Sequence, residues 1–320
     1  MVFVEIATLI ISLVILAKSA SVVIKNAEKL SRFFGISQIA VGFLLISVST
    51  SLPELSVSVI SSSLGEGAIS AGNVFGSNIA NILLILGIGA FFYGLKIRKT
   101  ELKDIAIILV LTTIISVYII FNSIITNRAL GLFEGIVLLL MFGAYAFYIS
   151  RKKSIELNST KTVSKKEAMP AFLFFTGSMI LVLISSGFVV SSAVKIAETL
   201  HLAKSVIGAT IIALGTSLPE LSIDLQAIRK KHYGLALGDA IGSNMTNMTL
   251  VLGTASVINN ITVTLPVFIA ALLFAIIANI ILFYASAVDK QLDKKGGGLF
   301  LAIYLIYIIT IIFLQIIGGS

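Results

Sequence analysis

The 320-residue sequence has no cysteine, no tryptophan, only two histidines and four prolines, and 12% charged residues, where a soluble domain carries about 25%. Without cysteine there is no disulfide, no thiolate metal ligand and no cysteine nucleophile. His201 and His232 both stand near loops, so they read as solvated residues rather than zinc ligands. An intramembrane hydrolase is disfavoured as well. Serines are plentiful, but no histidine lies in an apolar run to act as base, and there is no Gly-rich nucleophile loop. The chain is read as neither an enzyme nor a carrier of a cofactor.

Hydrophobic residues make up 58% of the chain, more than a water-soluble core can use. They gather in runs such as 105–120 and 301–317, which with their flanks approach the roughly 18 residues needed to cross a bilayer. Lipid is therefore the expected solvent. Ten candidate spans follow, at 3–24, 38–62, 69–94, 104–121, 129–150, 169–194, 205–228, 234–258, 264–287 and 298–317. The first lacks a basic leader and a small-residue cleavage site, so it counts as a retained span.

The net charge of +8 does not point to nucleic acid, because the basic residues sit in short loops rather than on one amphipathic face. They instead set direction. With both termini outside, the inner loops hold most of the Lys and Arg, while Arg128, Lys195 and Lys204 stay outside and Lys18 falls within the first span. The longest polar stretch, 151–168, reads as a cytoplasmic connector between residues 1–150 and 169–320, each with five spans. Because five is odd, the second set enters from the opposite side. The expected fold is an all-α membrane protein of ten transmembrane helices in two inverted five-helix repeats, at the cell membrane.

Self-similarity supports that division. Thr50-Ser51-Leu52-Pro53-Glu54-Leu55-Ser56 recurs unchanged as Thr216-Ser217-Leu218-Pro219-Glu220-Leu221-Ser222, an offset of 166. The same offset relates Gly42 to Gly208, Gly72 to Gly238, Gly76 to Gly242, Ser77 to Ser243, Asn78 to Asn244, Asn81 to Asn247 and Gly87 to Gly253. Inverted repeats are the plan of many secondary transporters, whose substrate sites lie where the halves meet.

Glu54 and Glu220 fall near the middle of spans, where a carboxylate normally faces the bundle interior with a partner or a cation. Pro53 and Pro219 precede them, each depriving a helix of one N–H and loosening a carbonyl, on Ser49 or Gly215. A proline kink alone is common in membrane helices. With the hydroxyls of Thr50, Ser51, Thr216 and Ser217 alongside, the opened turn becomes an all-oxygen environment suited to hard cations such as Ca²⁺ and Na⁺. Two carboxylates match a divalent ion in charge.

The second repeated element opens on Gly72 and Gly238. Its small-residue spacing serves helix packing. Ser77 with Asn81, and Ser243 with Asn247, share a helix face and favour ion contact. Two acids break the symmetry. Asp239 stands where the first copy has Asn73, a candidate third carboxylate; Asp224 stands where it has Ser58, a relay or a vestibule charge. Glu5, Lys18 and Glu134 have no repeated partners and are expected to snorkel or sit at the lipid interface.

The paired G-T-S-L-P-E-L and G-N/D-x-x-G-S-N-x-x-N segments closely resemble the two alpha repeats of the calcium/cation antiporter superfamily, particularly prokaryotic sodium/calcium exchangers. The resemblance implies Ca²⁺ held mainly by Glu54 and Glu220 with carbonyls around Thr50 and Thr216. It implies sodium sites drawing on Ser51, Ser77, Ser217 and Ser243, with Ser47 and Ala213 as carbonyl donors and Asn81 and Asn247 lining the centre. Gating in the family resembles sliding of the first and sixth spans over the remaining core.

The chain departs from its relatives in places. Potassium-dependent exchangers place Asp where this chain has Asn247, Ser49 replaces a usual glycine, and Asp239 replaces a usual asparagine. Proton-coupled relatives often carry Gly-Asn-x-x-Glu with a following histidine, which this chain lacks. The expected function is Na⁺/Ca²⁺ antiport by alternating access, with H⁺/Ca²⁺ antiport as the alternative and a cation channel as a further rival. Oligomeric state is not legible.

Overall fold

The computed structural model of the chain describes residues 2–65, 67–99, 101–126, 130–151, 163–199, 213–261 and 265–318. Arg128, His201, Lys204, Gly208, residues 205–212 of the expected seventh span and most of the expected 151–168 connector lie outside them.

Helices α1 (Val2–Phe34) and α7 (Lys165–Thr199) outrun the apolar stretches that announce them, 3–24 and 169–194. α1 continues because Val23, Ile24, Ala27 and Leu30 keep one face buried, while Lys25, Lys29 and Arg32 face outward. The two helices lie against each other and expose apolar side chains such as Phe3, Ile10, Leu173 and Phe188, as lipid contact requires. Glu5 pairs with Lys195 of α7 at 3.2 Å, and Lys18 is exposed.

α2 (Gln38–Thr50) and α3 (Leu52–Ser63) meet at a 47° bend. Pro53 stands in the first turn of α3, where its missing N–H has no helical partner to lose. The same break separates α8 (Ala213–Thr216) from α9 (Leu218–Arg229), with Pro219 in the equivalent place. The remaining helices are α4 (Gly67–Tyr93), α5 (Leu102–Thr126), α6 (Leu132–Ser150), α10 (233–258), α11 (Leu265–Tyr284) and α12 (Lys294–Gly318). π-helical turns interrupt α2 at Gly42–Ser47, α4 at Ala80–Leu86 and α10 at Asn247–Val251, a distortion that frequently marks functional sites. Glu134 closes the first turn of α6, its Oε2 accepting from the Gly131 N–H at 2.9 Å.

Among the described residues seven helices are long and apolar enough to cross a membrane, or eight when α2 and α3 count as one bent span. α9 and α10, within the spans expected at 205–228 and 234–258, do not meet that mark. α9 has only 12 residues, the start of its expected span lying outside the described residues, and carries Glu220, Asp224 and Arg229; α10 is rich in Gly, Asp, Ser, Asn and Thr. Every residue from 234 to 246 is buried, so protein rather than lipid surrounds α10 and its sequence need not be apolar. The chain is an all-helical membrane protein apart from its short strand contacts.

The halves interlock. α6 packs on the end of α10 at 252–258, and α12 on the end of α4 at 87–93. β1 (Leu95–Lys96) pairs antiparallel with β2 (Gln291–Leu292), and Leu130 pairs likewise with Ile261. α5 and α11 are joined by the buried Asn279, whose Nδ2 donates to Thr112 Oγ1 at 2.9 Å and Thr113 Oγ1 at 3.0 Å. α2 crosses α10 in backbone contact: a Cβ on Gly42 would lie 2.6 Å from the Leu235 carbonyl oxygen, and one on Gly238 2.5 Å from that of Ile39. Only glycine fits there, and the crossing brings Thr50 to Asp239.

Candidate cation site

The two helix breaks set the site. Glu54 and Glu220 each stand in the first turn after a break, where the helix N-terminus favours an anion. Both are buried, at 0% and 1% exposure, and close enough to act on each other as like charges.

Hydroxyls from both halves reach them. Ser77 Oγ donates to Glu54 Oε1 at 3.2 Å, and Ser217 Oγ donates to Ser77 Oγ at 3.4 Å. Thr216 hydrogen-bonds Glu54 and Thr50 hydrogen-bonds Glu220, so each break supports the other half's glutamate. Thr50 Oγ1 and Ser243 Oγ also donate to Asp239 Oδ1, both at 3.3 Å. Ser47 Oγ donates to the Phe43 carbonyl at 2.7 Å and lies 3.3 Å from Thr246 Oγ1. The Ser47 carbonyl, an expected sodium ligand, already accepts from the Ser51 N–H at 3.0 Å. Ala213 opens α8.

Four asparagines close the centre through reciprocal bonds. Asn78 Nδ2 donates to the Asn244 carbonyl at 3.4 Å, and Asn244 Nδ2 to the Asn78 carbonyl at 3.1 Å. Asn81 Nδ2 donates to Asn244 Oδ1 at 3.1 Å, and Asn247 Nδ2 to Asn78 Oδ1 at 3.2 Å. Each bond maps onto another when residues are exchanged by the repeat offset, the signature of a two-fold contact.

What is left over are acceptors. Glu54 Oε2, Glu220 Oε2, Asn81 Oδ1, Asn247 Oδ1, Ser51 Oγ and Asp239 Oδ2 are all buried without a hydrogen-bond partner. Buried oxygens without a donor are costly, and the first four form two repeat-matched pairs. Such a set suits a hard cation, which takes carboxylate, amide and hydroxyl oxygens together.

These contacts join Thr50, Glu54, Ser77, Thr216, Ser217, Glu220, Asp239 and Ser243, and two further residues enter. Asn78 and Asn244 bridge the halves, although sequence reading assigned ion contact only to Asn81 and Asn247. Their constant offset was visible, but which of four repeated amides reaches across depends on the helix crossing. Asp224 is fully buried at 0% exposure, which rules out a vestibule charge.

Comparison with known proteins agrees with this geometry. The family model for sodium/calcium exchanger proteins matches residues 4–151 and 170–313. The sodium/calcium exchanger MaX1 of Methanosarcina acetivorans is 26% identical, over 98% of this chain and 100% of its own length. A putative antiporter, CaxA, of Alkalimonas amylolytica is 32% identical over 78% of this chain and 79% of its own. The solved sodium-calcium exchanger NCX_Mj, in a crystal soaked with zero Na⁺ and Ca²⁺, superposes with a TM-score of 0.85 at 28% identity, covering 96% of this chain and 99% of that one. The chain belongs to the sodium/calcium exchanger protein family, within the calcium/cation antiporter superfamily.

Proposed function

We infer that this protein exchanges Na⁺ for Ca²⁺ across the membrane by alternating access, with the ions competing for oxygens between Glu54 and Glu220. The observation that carries this reading is the matched pair of buried, unpartnered carboxylate oxygens, Glu54 Oε2 and Glu220 Oε2, one from each half. Ca²⁺ would be held by these two glutamates and carbonyls around Thr50 and Thr216. Na⁺ would draw on Ser51, Ser77, Ser217 and Ser243, with carbonyls of Ser47 and Ala213, while Asn81, Asn247 and Asp239 line the centre. An empty pair of carboxylates is too poorly compensated to pass through a dry intermediate, which enforces exchange over leak.

The frame proposed for this cycle is ten spans in two inverted five-helix repeats, residues 1–150 and 169–320, joined by a cytoplasmic connector at 151–168 with both termini outside. Reciprocal asparagine bonds and the exchanged docking of α6 and α12 support it. α1 and α7, paired with each other and lipid-facing, would slide over the rest. Na⁺, K⁺ and pH gradients imposed one at a time on proteoliposomes test the reading: Ca²⁺ uptake should follow the Na⁺ gradient. Uptake driven equally by a pH gradient without Na⁺ would replace Na⁺ with H⁺ as the coupling ion, and single-channel currents would overturn antiport.

A further inference from the structure

We propose that the groove between α1 and α7 binds an anionic phospholipid, its phosphate between Lys18 and Lys25 and its acyl chains running past Leu181. The groove holds about 400 Å³ and is walled by Lys18 and Val22 on α1 and by Leu173, Phe174, Gly177 and Leu181 on α7. Its floor is open at Gly177, where an added Cβ would have nothing within 4 Å among the described residues. Lys18 is exposed in an otherwise apolar run, and among the described residues no carboxylate pairs with it. A lysine so placed keeps its stem on apolar surface and carries its ammonium toward the headgroups.

Two contacts fix the depth of the groove. Lys230 Nζ, at the 229–233 corner, donates to the Ser21 carbonyl at 2.9 Å, and Lys29 acts on Glu167 in the first turn of α7. The bilayer surface on this side therefore lies near Ser21, and Lys18 stands about 4–5 Å below it. Lys18, Val22, Lys25 and Lys29 recur at i, i+4, i+7 and i+11, so they share one face of α1. Lys25 and Lys29 are exposed, while Glu28 between them is engaged by Arg32 and lies 3.5 Å from His232. Deeper in, α1 exposes Ile11, Val14 and Ile15, and α7 exposes Ile184 and Phe188.

The occupant must suit both ends. A soluble anion would meet the lysines but leave the apolar walls uncovered, and a lipid without net charge would cover the walls but leave the lysines unmatched. An anionic phospholipid does both: basic residues near a bilayer surface attract its headgroup, and its chains are as apolar as the leucines they would lie on. Bound there, it bridges α1 and α7 on their lipid side, apart from the cation site.

Native mass spectrometry of the purified full chain, delipidated in detergent and titrated with dioleoyl phosphatidylglycerol or dioleoyl phosphatidylcholine, tests the proposal. One phosphatidylglycerol per chain should be retained where phosphatidylcholine is lost. Lys18→Gln should weaken that retention about 5-fold, the effect of one lysine near a membrane surface. Gly177→Leu, which fills the groove without touching a charge, should weaken it at least as much. Lys295→Gln, at an exposed lysine of α12, should change nothing. Unchanged retention in Lys18→Gln and Gly177→Leu overturns the proposal. So does equal retention of the two lipids, which means a groove blind to charge, and an equal loss in Lys295→Gln, which means a diffuse basic surface. Displacement of the lipid by inorganic phosphate would put a free anion on the lysines instead, and a dimer lost in Gly177→Leu would seat a second copy of the chain there; either result overturns it. If Gly177→Leu fails to fold, Lys18→Gln against Lys295→Gln decides alone.

Discussion

Residues 50–65 and 216–231 follow one pattern and diverge along its length. Both begin with a broken helix, a proline and a buried glutamate held by hydroxyls of the opposite half. One turn later Ser58 faces Asn73 in a neutral hydrogen bond, whereas Asp224 faces Asp239. At the far end both chains turn with a left-handed residue, Gly65 at φ 81° and Lys231 at φ 63°. The second corner is basic and clasped to α1: Lys230 Nζ donates to the Ser21 carbonyl at 2.9 Å, and His232 lies 3.5 Å from Glu28. The two segments thus stay alike at the helix breaks and their glutamates and diverge toward the far ends of α3 and α9.

If the glutamates are equal partners, their loss must be equal. Glu54→Gln and Glu220→Gln should each lower Na⁺-driven Ca²⁺ flux in proteoliposomes by at least about 100-fold, because each removes a charge that a buried cation needs. Near-normal flux in both would refute the paired-carboxylate site, and a large effect in only one would end its symmetry.

The glycines separate the halves in the opposite sense. Gly238→Ala should destabilise the protein by about 1–3 kcal/mol, since its Cβ would press 2.5 Å from the Ile39 carbonyl oxygen, while Gly72→Ala, with nothing within 4 Å among the described residues, should be neutral or mildly stabilising. Thermal unfolding in detergent reads both. Equal shifts would mean that the α2–α10 crossing is not the tight one.

The asparagine bonds predict matched and overlapping effects. Asn78→Ala and Asn244→Ala should each cost about 1–3 kcal/mol, and the double variant should cost less than their sum, because each single change already leaves the same network broken. Additive losses in unfolding midpoints would argue against reciprocal bonding.

The smallest effect is at the basic corner. Burial pushes His232 below its usual 6.5, opposed by Glu28 and aided by Lys230, Arg32 and Arg98. The folded state therefore binds this proton less readily than the unfolded state. The stability it contributes is intact above the unfolded value near 6.5 and is lost as pH falls toward the folded one. Thermal stability should drop slightly from pH 8 to pH 6, and His232→Gln should flatten that slope. An unchanged slope would show that the corner carries no such linkage.

Much of this was legible in advance because it depends on local chemistry. The lipid environment, the broken helices and the pair Glu54 and Glu220 follow from apolar runs, prolines and one exact repeat. The limits of legibility lie in α9, of whose expected span only 213–228 is described, and in α10, whose polar sequence falls short of the apolar mark because other helices surround it. The capping role of Glu134 was not legible either, because a charge at the edge of an apolar run can cap a helix as readily as it can snorkel.

The sequence alone determined which residues are duplicated and which are not, since register and residue type are written along the chain. Only the tertiary structure decided that Asn78 reaches Asn244, that Thr50 reaches Asp239 and that Asp224 is buried against a second carboxyl. The first two contacts join residues more than 160 positions apart, and that of Thr50 with Asp239 follows from the close backbone approach of α2 and α10 at Gly42 and Gly238, which no local pattern encodes.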